Sequence, residues 1–160
     1  RVIDNVLLPA EILGIPKGEA RERAGHLLEM VGLSGFEQSY PYELSGGMQQ
    51  RAAIARALVH DPKLILMDEP FGALDALTRE KMNLELLRIW GESGKTIVFV
   101  THGIQEAVFL GSRVVVLTAG PAKMADNFLV DLPHPRGLDL KTTEAFGDYT
   151  RRIYKLLGME

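Results

Sequence analysis

Leu64-Ile65-Leu66-Met67-Asp68-Glu69-Pro70-Phe71-Gly72-Ala73-Leu74-Asp75 is the stretch on which the reading of this chain turns. Its four leading apolar residues predict a short strand, and the lack of polar alternation predicts one covered on both faces. Asp68 and Glu69 stop the strand, and Pro70 and Gly72 turn the chain. Beyond the turn, an amphipathic pattern from about Leu77 to Trp90 predicts a long helix. Thr96-Ile97-Val98-Phe99-Val100 predicts a second buried strand, about Ile104 to Leu110 a short helix, and Arg113 to Leu117 a further strand. Strands and helices alternating in this way predict an α/β fold with a parallel sheet.

Working outward, Ala20, Ala24, Leu27, Leu28 and Val31 fall on one helical face, which Gly32 and Gly35 close. Another helix is predicted from about Met48 to His60, with Ala52, Ala55, Leu58 and Val59 buried. Asp61-Pro62 ends it, because proline disfavours helix in the residue before it. Downstream, Phe128-Leu129-Val130 predicts a short strand, and Pro133, Pro135 and Gly137 mark a loop. Phe146, Tyr149, Ile153, Leu156 and Leu157 give a terminal helix one apolar face.

Composition bounds what such a chain can be. Of 160 residues, 46% are hydrophobic and 24% charged, a globular balance. Lys and Arg number 18 against 21 Asp and Glu, and the net charge of −3 argues against a basic protein that coats nucleic acid. The absence of cysteine excludes disulfide scaffolds and thiol catalysis. No apolar run approaches the roughly 18 residues that a membrane span needs. The chain opens on Arg1-Val2-Ile3-Asp4, with no initiator Met and an apolar stretch that soon meets Glu11. It reads neither as a signal peptide nor as a natural start, so a piece of a longer protein is expected.

Parallel neighbouring strands at 64–67 and 97–101 would bring Asp68, Glu69 and His102 out at one carboxyl edge of the sheet, where open α/β sheets bind ligands. Two carboxylates and an imidazole there can hold a divalent cation, activate a water and contact a phosphate. Taken singly, they are also a polar strand end and a loop histidine. Leu44-Ser45-Gly46-Gly47-Met48 precedes a helix and leaves backbone N–H groups open to an anion. It is equally an ordinary helix start with Ser45 as N-cap, although Met48 stands where a capping box needs Glu or Gln.

Three stretches, in this order and spacing, resemble the ATP-binding-cassette (ABC) family. Leu44-Ser-Gly-Gly-Met-Gln-Gln-Arg51 is similar to its signature motif, Leu64 to Asp75 to its Walker B and D-loop, and Thr101-His102 to its switch histidine. The tail from Leu132-Pro-His-Pro-Arg-Gly-Leu-Asp-Leu140 through Thr143, Phe146 and Ile153 is similar to nitrate, sulfonate and taurine importer ATPases. The resemblance implies a partial P-loop NTPase fold: a parallel sheet flanked by helices, with a helical subdomain, and without the N-terminal Walker A part. Residues 1–43 would be the helical subdomain and the entry from the Q-loop, 44–120 the core part, and 121–160 a terminal strand, loop and helix.

The same resemblance implies roles. Asp68 would hold Mg²⁺ through water, Glu69 would be the general base, and His102 would contact the γ-phosphate. Ser45, Gly46, Gly47, Met48 and Gln49 would bind ATP held by a second subunit, and Asp75 would sit at that dimer interface while also capping its own helix. The implied function is ATP hydrolysis driving solute uptake by an importer of nitrate, sulfonate, taurine or a related small anion. The implied partners are a second copy, transmembrane permease subunits and, indirectly, a periplasmic or lipid-anchored solute-binding protein, with no nucleic acid. The subunit would be peripheral on the cytoplasmic face of the inner membrane. A soluble non-transport ABC ATPase and a non-catalytic interaction module are the alternatives.

Departures and bland readings complete the expectations. The family's phosphate loop, G-x-x-x-x-G-K-[ST], does not occur in these 160 residues. Gly91-Glu-Ser-Gly-Lys-Thr96 imitates it, but Ile89 stands where the first Gly should be, and the segment precedes a strand instead of opening a helix. It is read as a turn, and the chain alone is expected to be inactive. Gly103 replaces the Asp usual after the switch histidine, which would loosen that loop. His26, His60 and His134 are read as surface or cap residues, and Arg51 and Arg56 as solvated or separately ion-paired.

Overall fold

Val2, Ile3, Val6, Leu7 and Ala10 are buried along one side of a first helix, α1 (Val2–Ile12), in a computed structural model that describes residues 1–72 and 74–159. Ala73, within the decisive stretch, and Glu160 lie outside the described residues. The residue pattern alone gave this segment no helix of its own, although the family resemblance placed it at the entry to a helical subdomain. Its i, i+1, i+4, i+5, i+8 spacing is helical, but Pro9 inside the helix obscures it. The loop at 37–39 closes the start of α1: Val2 N donates to Ser39 O at 2.9 Å and Ile3 N to Glu37 O at 3.0 Å. Two amides that a helix cannot satisfy internally are thereby paired.

The chain forms two compact units, Arg1–Val98 and Phe99–Glu160. In the first, α1, α2 (Lys17–Met30) and α3 (Gly46–Leu58) pack against one another. Ala20, Ala24, Leu27 and Leu28 bury the predicted face of α2; of the face predicted for α3, Ala55, Leu58 and Val59 are buried and Ala52 is half-buried, with Ile54 buried beside them. Gly32, at φ 66°, makes the left-handed step just beyond α2.

After α3 come β1 (Leu64–Asp68), α4 (Ala76–Ser93) and β2 (Thr96–Val100), as predicted in order and kind. Thr96 N donates to Lys63 O at 3.3 Å, so β1 and its neighbour β2 set out from the same end and run parallel. Helix α4 runs to Ser93 and stops at Gly94 in the left-handed conformation, φ 62°, so the imitation phosphate loop is a helix end and a turn. The expectation of burial on both faces is corrected. Ile65 is buried, but Leu64 is 50% exposed, Leu66 73% and Val98 47%. The pleat sends alternate side chains to opposite sides, and only one side of β1 is covered.

In the second unit, α5 (Ile104–Leu110) leads into β3 (Arg113–Leu117), which pairs antiparallel with β4 (Met124–Leu129). Val114 faces Phe128 and Val116 faces Asp126 across this ribbon. The sequence reading began the second strand at Phe128, because Asp126 and Asn127 disguise its first half. Helix α6 (Glu144–Leu156) packs on α5, burying Phe146 and Ile153 from its apolar face. Arg136 is a buried cation held by carbonyls: Nη1 donates to Val108, Phe109 and Gly111 at 3.2, 2.9 and 3.0 Å. It thereby pairs carbonyls at the end of α5 that the helix leaves open.

Candidate functional site

The start of α3 and the start of α4 face each other within the first unit. Ser45 is extended, and its Oγ accepts from Met48 N at 3.4 Å, a long N-cap bond. Gly46 and Gly47 place no side chain over the open amides. A Cβ on Gly47 would stand 3.5 Å from Thr78 Cγ2, and one on Gly46 4.0 Å from Leu74 Cδ2. On the other side, Asp75 caps α4, its Oδ1 accepting from Thr78 N at 3.0 Å. Hydrogen bonds from Thr78 hold the Asp75 carboxyl below the usual 3.8.

Between these helix starts lies a cleft of about 550 Å³, lined by Ser45, Gly46, Gly47, Met48, Leu74 and Asp75, with Lys81 and Arg51 also on its wall. Lys81 and Arg51 on this wall are matched by the carboxylates of Asp75 and Glu85, so the feature suited to an anion is the open N-terminus of α3. The structure therefore brings four of the five signature residues together with Asp75. Gln49 is not among the lining residues. Its amide donates to Pro41 O at 3.0 Å and Leu44 O at 3.1 Å, holding the segment that enters the loop.

Arg51 is a correction to the sequence reading. It is half-buried, and its guanidinium is held by backbone carbonyls that the sequence reading did not foresee. Its Nη1 donates to Val31 O at 2.8 Å and Gly32 O at 3.3 Å, closing the end of α2 from α3. The signal available in sequence was Gly32 itself, which marks a helix end with carbonyls to satisfy.

Asp68 ends β1, and Glu69 follows with a positive φ of 42°, a region that side chains other than glycine seldom occupy. Both are exposed. The turn beyond them is closed by Gly72 N donating to Glu69 O at 3.1 Å and by Phe71, only 1% exposed, pointing inward. Among the described residues, no group of three or more His, Cys, Asp or Glu is placed to hold a metal ion. Asp68, exposed at the strand end, offers a single carboxylate of the kind that can hold Mg²⁺ through water.

His102 belongs to the second unit and is exposed. Its loop is pinned by Thr101: the hydroxyl accepts from Gly103 N at 2.9 Å and donates to Glu106 Oε2. A Cβ on Gly103 would stand 3.3 Å from both Thr101 Oγ1 and Glu106 Cβ, so glycine fits closely where the sequence reading expected a loosened loop.

Residues 2–72 match a family model described as ABC transporter. Over 159 residues, the chain is 51% identical to an ABC transporter ATP-binding protein of Methanocaldococcus jannaschii, covering 99% of this chain and 58% of that protein. It is 50% identical over 130 residues to a taurine import ATP-binding protein of Rhizobium johnstonii, covering 81% of this chain and 50% of that relative. A bacterial ABC transporter cassette solved as a dimer superimposes with a TM-score of 0.62 at 39% identity, over 85% of this chain and 57% of that one. The chain spans about half the length of the curated relatives it matches.

Proposed function

Because this chain belongs to the family of ABC transporter ATP-binding proteins, we propose that it supplies the signature, Walker B and switch segments of an importer's ATPase subunit. The observation that carries the reading is the cleft in which Ser45, Gly46, Gly47 and Met48 meet Asp75. An open helix start, with two glycines that leave its amides uncovered, suits a phosphate group, and its placement beside the cap of α4 suits a ligand presented by a second copy of the subunit. In that arrangement ATP, with Mg²⁺, is held between two copies. Ser45, Gly46, Gly47, Met48 and Gln49 serve the nucleotide bound by the partner, and Asp75 lies at the contact.

Hydrolysis then falls to the groups at the strand ends. Glu69 takes a proton from a water whose oxygen bonds to the γ-phosphorus. The bond from that phosphorus to the β–γ bridging oxygen breaks, leaving ADP and phosphate. Asp68 would hold Mg²⁺ through water, which supplies neutralisation of charge on the phosphate oxygens. His102 would contact the γ-phosphate. A relative that is 50% identical over 130 residues is named for taurine import, which supports a small sulfonate or related anion as the solute. Permease subunits and, through them, a solute-binding protein are the proposed partners. No helix among the described residues is long and apolar enough to cross a membrane. The proposed location is peripheral, at the cytoplasmic face, through contact with the permease.

The test is Mg²⁺-dependent phosphate release by the full polypeptide that carries this sequence. Glu69→Gln should lower turnover by about 10²-fold or more while ATP still binds, as loss of a general base does. Near-normal turnover would show that Glu69 is not the base.

A further inference from the structure

Glu69 sits at φ 42° although it is not glycine. Such a conformation persists only where the surroundings over-determine it. Two side chains outside the cleft hold the backbone that follows Glu69. Gln50, one turn into α3, donates its amide to Pro70 O, the carbonyl directly after Glu69. Arg79, in the first turns of α4, grips the rest of the turn: Nε reaches Phe71 O at 3.3 Å, and Nη2 reaches Gly72 O at 3.4 Å and Leu74 O at 2.9 Å. Four backbone carbonyls between 70 and 74 are thus held by donors from the two helices whose starts frame the cleft. Neither Gln50 nor Arg79 lines the cleft itself.

We propose that Gln50 and Arg79 are positioning residues that fix the carboxylate of Glu69 in register with the Ser45–Met48 loop. The inference rests on the reading of Glu69 as the general base. Its chemical content is that donors alone will serve. Every group held is a carbonyl oxygen, so an isosteric acceptor in place of Gln50 turns an attraction into a repulsion. At position 79 a lysine keeps the charge but replaces a planar fork, able to reach three carbonyls, by a single point donor. Because Gln50 shares α3 with Ser45, a shift of that helix start is passed directly to the backbone beside Glu69. A ligand seated at the loop would thereby bear on the base within the same chain.

The test is steady-state ATP hydrolysis by the full polypeptide carrying Gln50→Glu, Arg79→Lys or Arg79→Ala, each in the parent and in the Glu69→Gln background. In the parent, Gln50→Glu should lower kcat by about tenfold or more, with KM for Mg-ATP within about twofold, since misplacing a catalytic group costs rate and not uniform binding. Arg79→Lys should fall between the parent and Arg79→Ala. In the Glu69→Gln background none of the three should lower the residual rate further, because the group they position is already gone. Equal losses in both backgrounds would mark general structural damage and overturn the proposal, as would an unchanged kcat in Gln50→Glu and Arg79→Lys. If Arg79→Ala does not fold, those two variants decide. A parent whose rate is indifferent to Glu69→Gln would overturn the reading of the base itself, and this proposal with it.

Discussion

Asp75 serves a helix and a cleft with the same carboxylate, and its titration separates the two uses. Two readings of this residue from sequence, helix cap and interface group, are compatible because the cap bond to Thr78 N leaves the carboxylate on the cleft wall. Hydrogen bonds from Thr78 put its folded value below the usual 3.8. A depressed carboxylate stabilises the fold at pH above its unfolded value, and that contribution is lost as pH falls through the folded one. Asp75→Asn keeps an acceptor for the cap and removes the titration. Between about pH 5 and pH 2 the Asn variant should therefore lose less thermal stability than the parent. Parallel acid profiles for the two proteins would contradict the assignment. Arg51 shows why some of the site was illegible. Its acceptors are the main-chain carbonyls of Val31 and Gly32, and backbone groups leave no mark in the side-chain sequence.

Helix ends carried most of the information that could be read in advance. Gly32 and Gly94 were placed correctly at a helix close and a turn, and both adopt positive φ. They differ in surroundings: a Cβ on Gly32 would stand 2.9 Å from Arg51 Nη1, while one on Gly94 meets nothing within 4 Å. Alanine at either pays the left-handed penalty of roughly 1 kcal/mol. Gly32→Ala should cost more than Gly94→Ala in urea unfolding, because it also displaces the guanidinium that closes α2. Equal costs would mean that the Arg51 bonds contribute nothing. The start of α3 gives a functional counterpart. Gly47→Asp sets a carboxylate where a phosphate is proposed to approach, so ATP-driven dimerisation of the full polypeptide should fail, with nucleotide binding by single subunits little changed. Dimerisation at the parent's level would leave the loop as a plain helix start. What the pattern missed at this scale follows from mixed signals: Pro9 inside α1, and Asp126 with Asn127 in β4. The strands were recognised by their apolar runs, but such runs do not tell how many faces are covered. The exposure of Leu66 and Val98 is that of these 160 residues by themselves, about half the length of the matched relatives.

At the scale of the molecule, each unit carries a sheet with an uncovered apolar side. In the first, Leu64, Leu66 and Val98 are exposed, and in the second Val115, Leu117 and Leu129. These are alternate residues on short strands, the arrangement that lets apolar side chains gather on one surface. Patches of that kind, together with two-stranded sheets that leave edges unpaired, favour association between chains. A net charge of −3 over 160 residues offers little electrostatic opposition. Purified residues 1–160 should therefore self-associate as concentration rises. They should also release no phosphate from Mg-ATP above background, since no phosphate loop lies within them. Leu66→Lys removes apolar surface from a position 73% exposed, where little packing is lost. It should lower the weight-average mass in sedimentation equilibrium and leave the thermal midpoint nearly unchanged. Val115→Lys, at 50% exposure, should act in the same direction from the second unit. A parent chain that stays monomeric across the accessible concentration range would show that these faces are not sticky. A Lys variant that melts much earlier would show that Leu66 is packed after all, and that the open side of β1 belongs to the core.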